Sequence, residues 1–477
     1  MTQKGRTIVT VGARTLTGLL GLAVAVAVIG AATLLPLPSY SITAPGVTVQ
    51  PRAASQVRVC PGPALALGEG SGDASQAVAI GNPTELFGAG DLPVQSHRLA
   101  SDLSTQNSAQ APLALEASAL AGTHDRPLLA AAQTQVVSSA DTAGFVASAC
   151  TEPSTDTWLV GGSTTLGQTT LVLLSNPSAV DATVNLTIYT QDGEVNGPGS
   201  AGVDVPAGTQ KVVPLSGLAP NAAATVVRVT STGGDIAAAL EQSYEQGIQP
   251  QGIDIVGPTA KPADVQRISG VVLSSLAAIS AEQTGEGTGV SVPAVRILVP
   301  GKKQATVSVG VVGEGGTTGG TVYAQRIQPG TVAEVPLQGL HDGTYTITVR
   351  SNVPVVAAVR STVIGTAHRD FGWFVASQPL DASQRVAVPD GPSPVLHLTN
   401  SSNHAVHIAL TVPSGGQNEI EIGAGSAVTV PVTSGIYTLG DSRGIYASVS
   451  YLGDGEIAAF ALNPPGALSS AIRVYPH

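Results

Sequence analysis

From about residue 57 onward, short runs in which every second residue is apolar dominate the chain. Thr183-Val184-Asn185-Leu186-Thr187-Ile188-Tyr189 and Thr344-Tyr345-Thr346-Ile347-Thr348-Val349-Arg350 alternate with a period of two. That period buries one face of a strand and wets the other. The start of the chain is patterned differently, because Leu16–Leu37 is an apolar run without a charge. A helix of about 20 such residues spans a bilayer. Lys4, Arg6 and Arg14 precede the run and no acid does, so the positive-inside rule keeps residues 1–15 in the cytoplasm and puts everything after Pro38 outside.

Cleavage as a secretory signal is the alternative, since Ala31, Ala32, Ala53 and Ala54 are small residues nearby. The run exceeds the usual signal core of about 7–15 residues, which favours a retained anchor. Cys60 follows Val57-Arg58-Val59, so the chain has no lipobox.

Landmarks recur in the same order along the alternating region. Val57-Arg58-Val59-Cys60-Pro61-Gly62-Pro63 aligns without gaps with Val386-Ala387-Val388-Pro389-Asp390-Gly391-Pro392. An apolar run ends in an Asn turn at Asn82, Asn176 and Asn400, where Asn bonds its own backbone and tolerates the left-handed region. A Gly precedes a Pro by six residues at Gly208 and Pro214, Gly330 and Pro336, and Gly425 and Pro431, which suits edge strands. A turn leads into a buried strand at Leu129-Ala130-Ala131, Ile236-Ala237-Ala238, Val356-Ala357-Ala358 and Ile457-Ala458-Ala459, and Phe145-Val146-Ala147-Ser148 recurs as Phe374-Val375-Ala376-Ser377. Short strands in units of about 100 residues predict an all-β chain of about four tandem immunoglobulin- or fibronectin-like β-sandwiches. The expected boundaries are 1–15 cytoplasmic, 16–37 transmembrane, 38–56 linker, then sandwiches at 57–157, 158–260, 261–378 and 379–477. Residues 84–126 alternate poorly and predict a loop or short helix in the middle of the first sandwich. With a radius of gyration near 13 Å per 100-residue domain, four end to end predict a rod on the order of 100 Å long.

Composition narrows the function. Only 11% of residues are charged, and without Lys4, Arg6, Arg14 and Arg52 the chain carries 17 basic against 32 acidic residues. Such a surface repels phosphate backbones, so no nucleic-acid partner is expected. The two cysteines, Cys60 and Cys150, lie on the exported side and read as a disulfide, with two free thiols as the alternative. On the strand scheme the bridge staples the first and last strands of the first sandwich.

Catalytic signatures are weak. Gly70-Ser71-Gly72 lacks the spacing of a nucleophile elbow. Gly285-Glu286-Gly287-Thr288-Gly289 and Gly313-Glu314-Gly315-Gly316 run into β-like sequence and read as hairpin loops, not phosphate cradles. His368-Arg369-Asp370-Phe371-Gly372 overlays two kinase triplets without a nucleotide-binding lobe around them. His397, His404 and His407 cluster, but positions 404 and 407 of one strand face opposite sides, so no metal site and no cofactor is expected. Asp-Gly pairs such as Asp192-Gly193, Asp342-Gly343 and Asp454-Gly455 are turn signals.

The Cys60-Pro61-Gly62-Pro63 opening, Cys150 followed by Trp158-Leu159-Val160-Gly161-Gly162, and Leu173-Leu174-Ser175-Asn176-Pro177 resemble a family of actinobacterial membrane-anchored proteins, domain of unknown function five-seven-one-nine. The resemblance spans most of residues 57–477 and implies an extracytoplasmic place in the cell envelope, with no catalytic residues to carry over. The expectation is a non-enzymatic scaffold held to the cell membrane by its N-terminal helix. Its expected partners are envelope proteins or polysaccharide, with Trp158 and Trp373 as candidate ligand contacts. A polysaccharide-binding module, or a hydrolase or transferase with a site between domains, is the alternative.

Overall fold

The computed structural model describes residues 22–24, 26, 47–49, 54–67, 77–101, 111–119, 127–195, 197–282, 292–315, 320–380, 383–464 and 472–474. The expected membrane span falls almost wholly outside them, and so do the cytoplasmic segment and most of the linker. Within the span Leu22, Ala23, Val24 and Val26 are helical and exposed. Among the described residues no helix is long and apolar enough to cross a membrane. The chain divides into two compact units, Met1–Gln50 with Ala471–His477, and Pro51–Ser470. In the first, Val47–Val49 pairs antiparallel with Ile472–Val474.

The second unit is all-β apart from short helical turns, among them α1 (Leu276–Glu282). Its sheets lie in facing pairs along the chain. Gln56–Val59, Leu113–Ala117 and Val94–Arg98 form one sheet, and Thr84–Gly88, Ala130–Ser138 and Ala143–Ala149 form its partner. Strands therefore occupy the described parts of 84–126, and the middle of that region, where a loop or short helix is expected, lies outside the described residues. Cross-strand pairing satisfies the backbone there, with Leu113, Leu115 and Ala117 buried and most of Val94–Arg98 exposed. Ser104–Gln110, the least patterned part, lies outside the described residues.

Next, Asp156–Val160, Thr225–Gly233 and Ala182–Thr190 face a sheet built on Gln168–Asn176 and Ala237–Gln246. The 22-residue strand Gly343–Ile364 then runs through both layers of the following pair. It meets Ala263–Leu273 and Ala305–Gly313 in one layer, and Ala294–Leu298 and Arg369–Val375 in the other. Last, the sheet holding Gln384–Val388 and Val406–Thr411 covers the sheet holding Val395–Asn400 and Ile445–Gly453. Apolar side chains from both layers fill each pair, as Leu159, Val227, Val172 and Leu174 do in the second and Leu396, Leu398, Ile408 and Leu410 in the fourth.

Each pair contributes one hairpin whose second strand turns inward: Ala143–Ala149, Gln249–Val256, Arg369–Val375 and Glu456–Leu462. Each of these four packs on the next, the fourth returns to the first, and Ala143–Ala149 also meets Arg369–Val375, so they surround a common axis. This closure overturns the rod. Residues 51–470 are one compact unit because the inward strands are apolar on both faces and bury themselves against each other. The alanine landmark also shifts in register. Ala130-Ala131, Ala237-Ala238 and Ala357-Ala358 lie on the first strand of their hairpins, but Ala458-Ala459 lies on the second.

Two local expectations are met by direct bonds. Asn176 donates through Nδ2 to Val180 and Val205, and Asn400 donates to His404 and Ile422. Each Asn Oδ1 accepts from the serine N–H two residues on, Ser178 and Ser402, which closes the turn. Pro336 and Pro431 end strands at sheet edges.

Candidate functional site

Charged side chains seldom stand in apolar strands, because burying one without partners costs several kcal/mol. Asp370 sits in such a strand and is fully buried. Its Oδ2 accepts the Phe145 N–H at 2.8 Å and the Ile457 N–H at 3.3 Å. Its Oδ1 accepts those of Phe371 at 2.9 Å and Ile253 at 3.1 Å. One N–H thus comes from each of the four inward strands. A Cβ on Gly144 or Gly252 would come within 2.5 or 2.6 Å of Oδ1, so those positions leave room for the carboxylate. Burial pushes the Asp370 carboxyl well above its ordinary range, and the N–H groups oppose that rise. Asp254, which accepts the Trp373 N–H at 2.7 Å, is raised by burial to about 8.

The opening-strand turns serve as docking points. Pro61 O accepts from Gln210 Nε2 at 2.8 Å, and Gly162 O from Arg296 Nη1 at 2.5 Å. Ser269 O accepts from Ser448 Oγ at 2.8 Å, and Asp390 O from Thr134 Oγ1 at 2.7 Å. In every case the donor belongs to the next sheet pair, and the last bond returns to the first pair.

Arg296 is the most elaborate of these donors. It lies fully buried over the Trp373 ring at 4.5 Å and pairs with Glu334 at 2.7 Å. Burial pulls the Arg296 guanidinium down from its usual value, while the Glu334 charge supports it. Trp373 Nε1 donates to Gln242 Oε1 at 2.9 Å.

Between the third and fourth pairs, Ser450 Oγ lies 2.7 Å from His397 Nε2, and His397 Nδ1 lies 2.8 Å from Glu314 Oε2. This is the hydrogen-bond order of a serine–histidine–carboxylate relay. Glu314 also accepts from Gly270 N–H at 2.9 Å and from Thr346 Oγ1. Burial works to raise the Glu314 carboxyl, but the bonds and charge of His397, with those of Thr346 and Gly270, hold it below its usual value. Glu314, His397 and Ser450 are only 1, 1 and 2% exposed, so solvent does not reach the hydroxyl.

The tryptophans are buried as well, Trp158 at 5% and Trp373 at 1% exposed. Trp158 stacks on Tyr189 and lies beneath Arg228, and Trp373 lies beneath Arg296, so neither ring offers an open face to a ligand. Trp373 sits at the seam of the second and third sheet pairs, bonded to Gln242 across it, whereas Trp158 packs within the second pair. Of the histidine cluster, His397 is in the relay, while His404 and His407 are exposed. Among the described residues no group of three potential ligands forms a metal cluster. Cys60 and Cys150 are joined in a disulfide that ties the end of Gln56–Val59 to the residue after Ala143–Ala149.

Periodicity missed Glu314, Asp370 and Arg296. Glu314 reads as part of a glycine-rich loop, and Asp370 stands in the His-Arg-Asp coincidence. The available signal was a lone charge inside an apolar strand, as in Ala294-Val295-Arg296-Ile297-Leu298.

No curated protein and no solved structure matches the chain. The profile of one family covers residues 103–433, and the chain accordingly belongs to a family of unknown function (DUF5719).

Proposed function

We propose that this protein is a non-enzymatic scaffold of the cell envelope, with four immunoglobulin-like sandwiches closed around one axis outside the cytoplasm and held to the membrane by the Leu16–Leu37 helix. The observation that carries the reading is where the buried polar groups go. Arg296, Thr134, Gln210, Ser448 and the Glu314–His397–Ser450 relay all join one sheet pair to the next. Chemistry that a cleft would use is spent on cohesion, which leaves the outer strands and loops for partners. The Cys60–Cys150 disulfide supports an oxidising compartment, and the charge-free run behind three basic residues supports the tether. Polysaccharide binding through Trp158 and Trp373 draws no support from their burial. Envelope proteins are the favoured partners.

A hydrolase is the second reading, favoured by the relay alone. Full-length protein in detergent, treated with a fluorophosphonate probe, separates the two. No adduct is expected, and labelling that disappears in Ser450→Ala would establish the hydrolase instead. For location, an impermeant amine-reactive label on intact cells is expected to reach the protein, and protection until lysis would refute an outside position.

A further inference from the structure

Basic side chains are scarce in this chain, yet several converge on one sheet of the third pair. Its strands run in the order Ala263–Leu273, Gly343–Ile364, Ala305–Gly313 and Gly320–Ile327. Ile268, Val307, Val309, Ile347 and Val349 fill the core from this layer, so alternation puts Arg267, Arg350 and Arg326 on the opposite face. Register sets Arg350 beside Ser308 and Val265, and Arg326 beside Thr306. Lys302 and Lys303 are exposed in the turn that leads into Ala305, at the end of the sheet where Arg326 lies.

Little negative charge answers these cations. Glu314, on the same face, is buried at the seam and paired with His397, and Asp264 is exposed at the sheet end beside Val265. Lys302, Lys303, Arg326 and Arg350 are exposed, and every ion pair among the described residues is made elsewhere. Arg267 lies over the Tyr446 ring and donates to Thr348 Oγ1, at the margin of the patch. Val312 and Val322, 57 and 69% exposed, extend the face past Gly310. The fourth pair has the reverse balance, with six carboxylates and two arginines between residues 383 and 464.

On an otherwise acidic chain, a basic face is drawn to an anionic surface that repels the other faces. Four strands at about 4.8 Å spacing present these cations and valines on one broad side, which suits a surface better than a single bound chain. A lipid surface is within reach of the tether. Residues 38–56 extend at most about 60 Å, and a unit the size of 51–470 has a radius of gyration of about 22 Å. We propose that this face docks on anionic headgroups of the membrane that holds the chain, with Lys302, Lys303, Arg326 and Arg350 against the lipid phosphates and Val312 and Val322 at the interface. The proposal goes beyond the scaffold reading, rests on its tether, and gives the ring a fixed orientation on the membrane.

The test reconstitutes full-length protein in vesicles and reads energy transfer from a dye on Thr306→Cys, an exposed position of the face, to a rhodamine-labelled lipid. In phosphatidylcholine containing about 30% phosphatidylglycerol, transfer is expected to be at least about twofold more efficient than in phosphatidylcholine alone. Salt at about 0.5 M is expected to abolish the difference. The combined variant Lys302→Glu, Lys303→Glu, Arg326→Glu and Arg350→Glu is expected to show equal, low transfer in both vesicles. A dye on Glu419→Cys, in the acidic fourth pair, is expected to gain nothing from phosphatidylglycerol. Thermal melts establish that the variants fold. Equal transfer in the two vesicles with the native charges, or a difference that survives charge reversal, would overturn the proposal. Displacement of the face from phosphatidylglycerol vesicles by an equal charge of polyglutamate would assign it to an acidic protein and overturn it too. Those results would leave the scaffold reading standing, whereas fluorophosphonate labelling of Ser450 would end that reading and leave the lipid contact untouched.

Discussion

Asp370 concentrates at one side chain what a ring of four hairpins needs at its centre. Four backbone N–H groups, from Phe145, Ile253, Phe371 and Ile457, point into the buried centre, and one carboxylate accepts all four. A buried donor left without an acceptor costs about 1–3 kcal/mol. Asp370→Ala is therefore expected to lower unfolding stability by roughly 3 kcal/mol or more, with Asp370→Asn milder because its amide keeps one acceptor. Formate added to the alanine variant is expected to raise its melting temperature more than it does for the native chain. Equal melting of alanine variant and native protein in denaturation scans would discredit the cradle. His397 acts similarly at the seam of the third and fourth sheet pairs. His397→Ala strands the buried Glu314 carboxylate and is expected to cost about 3–5 kcal/mol, measured by urea denaturation, with His397→Gln recovering part of the loss through its donor.

Elements are joined by means that differ from place to place. The first sheet pair has short strands and little apolar volume, and it alone carries a disulfide, across 90 residues. Cross-linking a segment of that length stabilises by roughly 2–5 kcal/mol. A Cys60→Ser, Cys150→Ser double variant is expected to melt earlier and to be cut by limited proteolysis first within residues 54–149. First cleavage elsewhere, with an unchanged melting temperature, would count against this account. The third pair instead relies on Gly343–Ile364, one strand shared by two layers, which makes those layers mechanically inseparable without a covalent bond.

At the scale of the whole molecule, two buried carboxyls set the response to pH. Burial raises Glu241 and Asp254 to about 8. In the folded protein these groups hold protons that the unfolded chain has already released near pH 4. Their contribution to stability is full below that value and is lost as pH climbs toward 8. Glu314 and Glu334 are shifted down, so their contribution is present above the unfolded value and is lost in stronger acid. Stability is thus expected to peak in mild acid and to be lower at pH 8 than at pH 5, by differential scanning calorimetry in matched ionic strength. A melting temperature that rises steadily from pH 5 to pH 8 would show these carboxyls ionised in the fold.

Much of this was readable along the chain, for reasons local to it. Period-two alternation requires only a strand's own side chains, so the all-β class follows from it. Asn176 and Asn400 close their own turns through Ser178 and Val180 and through Ser402 and His404, Pro336 and Pro431 mark edges by a missing N–H, and both cysteines can be counted. Closure around an axis cannot be read this way, because it depends on which faces meet over separations such as the 225 residues between Asp370 and Phe145. For the same reason the burial of Trp158 and Trp373, candidate ligand contacts along the chain, is legible only in the packed molecule, and Glu314 looked like a loop residue until His397 and Thr346 surrounded it. Alternation says which face of a strand is buried; only the packed molecule decides what that face is buried against, since partner choice is a property of two surfaces and each stretch of sequence specifies one.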